Sequence, residues 1–175
     1  MELLNVNKDY LEEILKIWKK EGKYRPDGVI VLYDSDKNFF IVRYNNPKRT
    51  WGFVQEGFED FDLGLEDCLA RGLKEEINID YKNDLTNIKH GFYLELLDDK
   101  TKPKKYLRGF TNGKGYIHTL AKYNGSKEKI KLNKNELLEG RWVSCENAVR
   151  YYFSKIRPEK ARMLKQVITI AKSLI

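Results

Sequence analysis

Cysteine is nearly absent. The chain holds two, Cys68 and Cys145, with no CxxC pair and no finger-like spacing, which excludes a thiolate zinc site and a disulfide framework. Both are read as reduced, buried thiols, and a cytoplasmic setting follows. Histidine is equally scarce: His90 and His118 have no partner ligands nearby in sequence, so each is expected to pack or hydrogen-bond instead of catalysing. No apolar run approaches the ~18 residues of a membrane span and no signal peptide opens the chain, so no membrane partner is expected.

What remains is the composition of one compact domain, 41% hydrophobic and 34% charged over 175 residues. Lys and Arg outnumber Asp and Glu by 33 to 26, and the excess is concentrated. Between Asp98 and Gly115 stand Lys100, Lys102, Lys104, Lys105, Arg108 and Lys114, with Tyr106 and Phe110 among them. Cations interleaved with aromatics suit phosphates and stacked bases, while a solvated loop is the plain alternative. Arg162, Lys165 and Lys172 form a second basic face on a closing helix.

Periodicity gives a mixed α/β order without repeats. Asp9 and Glu12 suggest a capping box before the stripe Leu11, Ile14, Leu15 and Trp18, and Gly22 ends that helix. Residues 1–22 are thus expected as a leading amphipathic helix and 23–175 as the main domain. The helix either packs on the domain or offers a partner or homodimer contact; no protein partner is readable. Val29 to Tyr33 and Phe39 to Tyr44 flank a turn and read as a hairpin. Leu85 to Leu97 and Tyr116 to Tyr123 are further strands, and Arg141 to Ser144 begins a last one. Pro158 suits a first helical turn, before the buried stripe Leu164, Val167, Ile168 and Ala171.

The chemistry is expected between Gly57 and Ile79, GFEDFDLGLEDCLARGLKEEINI, with a helix over about 63–77. At about 100° per residue, positions 72, 75 and 76 share one helical face. Glu75 and Glu76 are carboxylates and position 72 is glycine, which costs roughly 1 kcal/mol against alanine in a helix interior. Arg71 stands four residues before Glu75, the spacing of an ion pair that would brace it. An Arg/Glu-rich helix also describes a plain solvated face.

These residues resemble the Nudix box: a glycine, five residues, a glutamate, seven residues, then R-E-U-x-E-E-x-G-U, with U aliphatic. Gly57, Arg71, Leu73, Glu75, Glu76 and Ile79 fall in register, whereas Leu63, Gly72 and Asn78 replace the first glutamate, the glutamate after the arginine and the late glycine. Aligned one residue differently, Glu56 takes the glycine slot and Asp62 approaches the first-glutamate slot, with Glu59 just before it. The resemblance extends to the RNA pyrophosphohydrolase and diadenosine-polyphosphate hydrolase branch. Tyr24-Arg25-Pro26 resembles its YRP opening. Trp51 to Gly57 resembles W-x-F-P-Q-G-G with Glu56 in place of a glycine, and Glu136 to Ser144 resembles P-E-F-D-G-W-R-W-V-S.

That resemblance implies an α/β/α sandwich with a mixed sheet, the Nudix fold, and Mg²⁺ (or Mn²⁺) held by Glu75, Glu76 and Glu136 with Arg71 orienting them. It implies catalysis by Glu75, Glu76 and Arg71 on a nucleotide or RNA 5′ end, contacted by Arg25, Arg43, Lys104, Lys105, Tyr106 and Arg108. A carboxylate among Glu56, Glu59 and Asp62 would assist. Glutamate at position 72 is expected to raise activity. Two other readings stay open: a Nudix fold that binds nucleotide or RNA without turnover, and a scaffold docking through its basic faces.

Overall fold

Alternation along the strands decides how the layers form. The computed structural model describes residues 7–98 and 109–175. Strand β1 (Tyr24–Tyr33) lies at the centre of a seven-stranded mixed sheet. It runs parallel to β6 (Gly113–Tyr123) and antiparallel to β2 (Phe39–Tyr44) and β4 (Val54–Gly57). The edges are β5 (Leu85–Asp98), antiparallel to β6, and β3 (Trp51–Gly52) and β7 (Leu137–Val143), both antiparallel to β2.

Successive side chains on a strand point to opposite faces, so each strand feeds two cores. Ile30, Leu32, Phe40, Val42, Ile117 and Ala121 join Leu69, Leu73 and Ile77 of helix α2 (Leu65–Ile77) in one layer. Val29, Val31, Phe39, Ile41, Tyr116 and Leu120 join Leu164, Val167, Ile168 and Ala171 of the closing helix in the other. The arrangement is the expected α/β/α sandwich. Burying one Leu or Ile side chain contributes roughly 1.5–3 kcal/mol, so truncating Leu73, fully enclosed, would cost about 2–5 kcal/mol.

The first layer is completed by α1 (Lys8–Glu21), whose Leu11 and Leu15 are buried in it. Gly22 adopts the left-handed conformation that ends this helix, as expected. The capping box is corrected: the cap is Asn7, whose side chain accepts from the Asp9 N–H. Glu12 reaches elsewhere, to the first turn of α2, where its Oε1 accepts from the Leu65 N–H at 3.4 Å. After α2 comes the short α3 (Tyr81–Asp84), and after β7 come α4 (Cys145–Asn147) and irregular helical turns, then α5 (Pro158–Ser173). Among the described residues no helix is long and apolar enough to cross a membrane. Cys68 and Cys145 are both buried and unpaired.

Candidate active site

Helix α2 is set by what it meets at its two ends. Gly64 precedes it with extended backbone and no side-chain cap, so Glu12 supplies a partner there and Glu66 and Asp67 complement the helix dipole. At the other end Asn78 takes the left-handed conformation (φ 58°). Asparagine tolerates that conformation better than most side chains, which explains its place in a slot where the family pattern has glycine. The backbone N–H groups of Lys131 and Asn133 donate to the carbonyls of Ile77 and Glu76. Those bonds dock the segment leading to Glu136 against the C-terminal turn of α2.

Arg71 does not brace Glu75. Its Nε and Nη2 donate to the two oxygens of Asp62 at 3.2 and 2.8 Å, Nη2 also donates to the Gly57 carbonyl at 2.9 Å, and Nη1 pairs with Glu56 at 3.1 Å. Side chains on a helix lean toward its N-terminus, which directs the guanidinium back to the preceding loop and away from the residue one turn ahead. The loop offers a prepared acid: Asp62, with a side chain only 3% exposed, also accepts from the Glu59 N–H. Leu63, by contrast, is 91% exposed. Asp62, not Leu63, therefore meets Arg71.

Gly72 is filled from outside. A Cβ there would lie 2.6 Å from Cβ and 3.1 Å from Cγ of Glu56, a residue of β4. Glutamate at position 72 thus has no room while Glu56 is in place, contrary to the expectation that it would simply complete the cluster. Glu56 Oε1 accepts from its neighbour's N–H on Gly57 and pairs with Arg71. Its Oε2 lies over the helix, 3.4 Å from the position a Cβ on residue 72 would take.

Glu76 is the anomaly of the site. It is 3% exposed, and its Oε2 is buried without a hydrogen-bond partner. Burial first, then the nearby charges of Glu56, Glu136, Glu75 and Asp27, push its carboxyl up to about 9. Burial likewise raises Glu56, with Arg71 opposing the shift. The half-buried Tyr44, whose hydroxyl donates to the Phe53 carbonyl, is raised by desolvation and by the Glu76 charge. Glu75 and Glu136 are exposed. Among the described residues no three His, Cys, Asp or Glu side chains stand at the mutual spacing of a formed metal site.

The remaining predicted residues separate. Arg25 is beside the box: its guanidinium covers Gly57, where a Cβ would lie 1.6 Å from Nη2, and its Nε lies 3.6 Å from Asp27. Lys114 also pairs with Asp27. Arg43 pairs with Glu139 at 3.3 Å and lies over Trp51, which packs on the second layer. Lys104, Lys105, Tyr106 and Arg108 lie outside the described residues. On α5, Arg162 and Lys172 are engaged by Glu95 and Glu146. His118 is fully buried, hydrogen-bonded through Nδ1 to the Tyr93 carbonyl, and pushed down to about 3 by burial; it is a neutral core residue. A cleft of about 430 Å³ at Asp34, Lys37, Lys89, Lys122 and Ile175 shares no lining with the carboxylates.

Of these groups, sequence reasoning placed Glu56 only among possible assistants and missed Asp27. The signal for Glu56 was a pair of opposite departures, glutamate for glycine at 56 and glycine for glutamate at 72.

Comparison with known proteins agrees with this frame. Residues 23–167 match the NUDIX domain model. An RNA pyrophosphohydrolase of Wolbachia sp. subsp. Brugia malayi is 28% identical over 134 residues, covering 75% of this chain and 81% of that protein. Among solved structures, the dihydroneopterin triphosphate pyrophosphohydrolase of E. coli superposes with a TM-score of 0.64 at 18% identity, over 83% of this chain and 94% of that one. An Ap4A hydrolase of C. elegans in a binary complex gives 0.63 at 19% identity, over 86% and 96%. With a family match over most of its length and the fold that goes with it, the chain belongs to the Nudix hydrolase family.

Proposed function

We propose that the protein is a Mg²⁺- or Mn²⁺-dependent pyrophosphohydrolase acting on a diphosphate-linked nucleotide, either an RNA 5′-polyphosphate end or a dinucleoside polyphosphate, in a reducing cytoplasmic setting. The observation that carries this reading is Glu76: a carboxylate enclosed by the fold, with one oxygen unpartnered and like-charged groups around it. Such a group is stable as an acid or as a ligand, and an all-oxygen donor set suits a hard divalent cation. Glu75, Glu76 and Glu136 would hold the ion, which when bound supplies Lewis acidity toward phosphoryl oxygens.

The chain's own residues do the rest. Glu76 holds its proton at neutral pH and must release it to serve as a ligand, which couples cation entry to pH. Arg71 fixes Asp62, Glu56 and the Gly57 carbonyl, so the loop before α2 keeps one shape against the helix. The basic segment around Lys104, Lys105, Tyr106 and Arg108 would neutralise the phosphates that are not cleaved and stack a base. Arg25, whose guanidinium lies against Gly57, would contact the same phosphates.

The reading is tested by incubating the protein with diadenosine tetraphosphate, nucleoside triphosphates and 5′-triphosphorylated RNA, with Mg²⁺ or Mn²⁺. Phosphate or nucleotide release that Glu76→Gln abolishes is expected; identical traces from both proteins would reject it. Glycine at position 72, where the family pattern has a glutamate, favours a second reading, a Nudix fold that binds nucleotide without cleaving it. Ligand binding with no release would select that one.

A further inference from the structure

We infer that Glu56 is a further carboxylate of the site, beside Glu75, Glu76 and Glu136: strand β4 supplies to the cation the group that helix α2 lacks at Gly72. The inference rests on the metal-dependent reading above and assigns a ligand that the box motif does not contain.

The steric observation comes first. Glu56 and any side chain at position 72 compete for one space, since a Cβ on residue 72 would stand 2.6 Å from the Glu56 Cβ. Contacts that short are not tolerated, so this backbone accepts glutamate at 56 or a larger residue at 72, not both. Glycine at 72 is therefore accounted for by what covers it. The charge is not lost from the helix face; it arrives from the neighbouring strand.

The second observation is directional. Of the two Glu56 oxygens, Oε1 is fixed by the Gly57 N–H at 3.0 Å and by Arg71 at 3.1 Å. Those bonds turn Oε2 toward α2, on the side where Glu76 keeps its own Oε2 buried and unpartnered. A carboxylate held by an arginine through one oxygen and open at the other is an oriented donor, whose geometry is set before a cation arrives.

A merely structural role for Glu56, as a counter-charge to Arg71, makes different predictions. Glutamine at 56 keeps the size and an acceptor oxygen but removes the charge. The test is Mn²⁺ titration of the metal-free full chain by calorimetry or electron paramagnetic resonance, beside thermal melts without metal.

Glu56→Gln is expected to weaken Mn²⁺ binding at least tenfold with little change in Tm. Gly72→Glu alone is expected to lower Tm. Glu56→Gly combined with Gly72→Glu is expected to recover most of that Tm and to bring Mn²⁺ affinity back within about threefold of the parent, a non-additivity diagnostic of two residues sharing one space. Unchanged Mn²⁺ affinity in Glu56→Gln, while Glu76→Gln loses it, would overturn the inference and leave the metal-dependent reading standing. A double variant no better than Gly72→Glu alone would also overturn it. A parent chain that takes up no Mn²⁺ and cleaves nothing would remove both.

Discussion

Arg71 and Glu76 stand five residues apart on one helix and in opposite electrostatic conditions. Arg71 is saturated: a carboxylate gripped through two bonds, a second carboxylate and a carbonyl share its guanidinium, and these partners hold its charge firmly on. Glu76 is more deeply enclosed and surrounded by its own sign, with an oxygen left over. The charge of the arginine is balanced within the fold, whereas that of the glutamate is opposed by its neighbours. The contrast separates the residue that shapes the loop before the helix from the one whose oxygen is left without a partner.

The largest effect is expected at Arg71. Arg71→Leu leaves Asp62 charged, enclosed and unpaired, which is expected to cost about 3–5 kcal/mol in urea or thermal unfolding. The next is expected at Glu76, through pH. An ordinary glutamate titrates near 4.5 and Glu76 near 9, so between those values Glu76 holds in the folded protein a proton that it has lost in the unfolded chain. Stability contributed by this group is present at low pH and is lost as pH rises through the folded value, by at most about 1.4 kcal/mol per pH unit. Unfolding of the metal-free protein across pH 5 to 9 checks this slope, and Glu76→Gln should flatten it; an unchanged slope in that variant would assign the effect to another group. The smallest effect is expected at Glu12, whose carboxylate is the side-chain partner of the first turn of α2. Glu12→Ala should cost about 0.5–1 kcal/mol with no change in the pH slope, measured by the same unfolding.

Much of the fold was legible because it depends on local alternation. Val29 to Tyr33 and Phe39 to Tyr44 show their two-sided burial directly in apolar runs, and the box helix begins within two residues of its expected start. Strand β7 was read short, as Arg141 to Ser144, because Glu139 and Gly140 carry no strand signal; pairing with β2 holds them in place, across an irregularity near Tyr44. The site was legible in its inventory and not in its pairings. Helical spacing suggested Glu75 for Arg71, yet the arginine turns back to Asp62, an acid fixed by a loop turn that spacing does not encode. Glu56 and Gly72 meet only because β4 lies across α2, a contact that sequence shows as two unrelated departures from one pattern.

The leading helix carries a consequence for how the protein is delimited. The match to the domain model begins at residue 23, yet Leu11 and Leu15 are sealed into the same layer as Leu69 and Leu73, and Glu12 touches the backbone from which the box helix starts. The border of the domain match and the border of the packed core thus fall at different places in this polypeptide. The matched stretch carries the box residues, while part of the apolar layer in which their helix is packed comes from residues before its border.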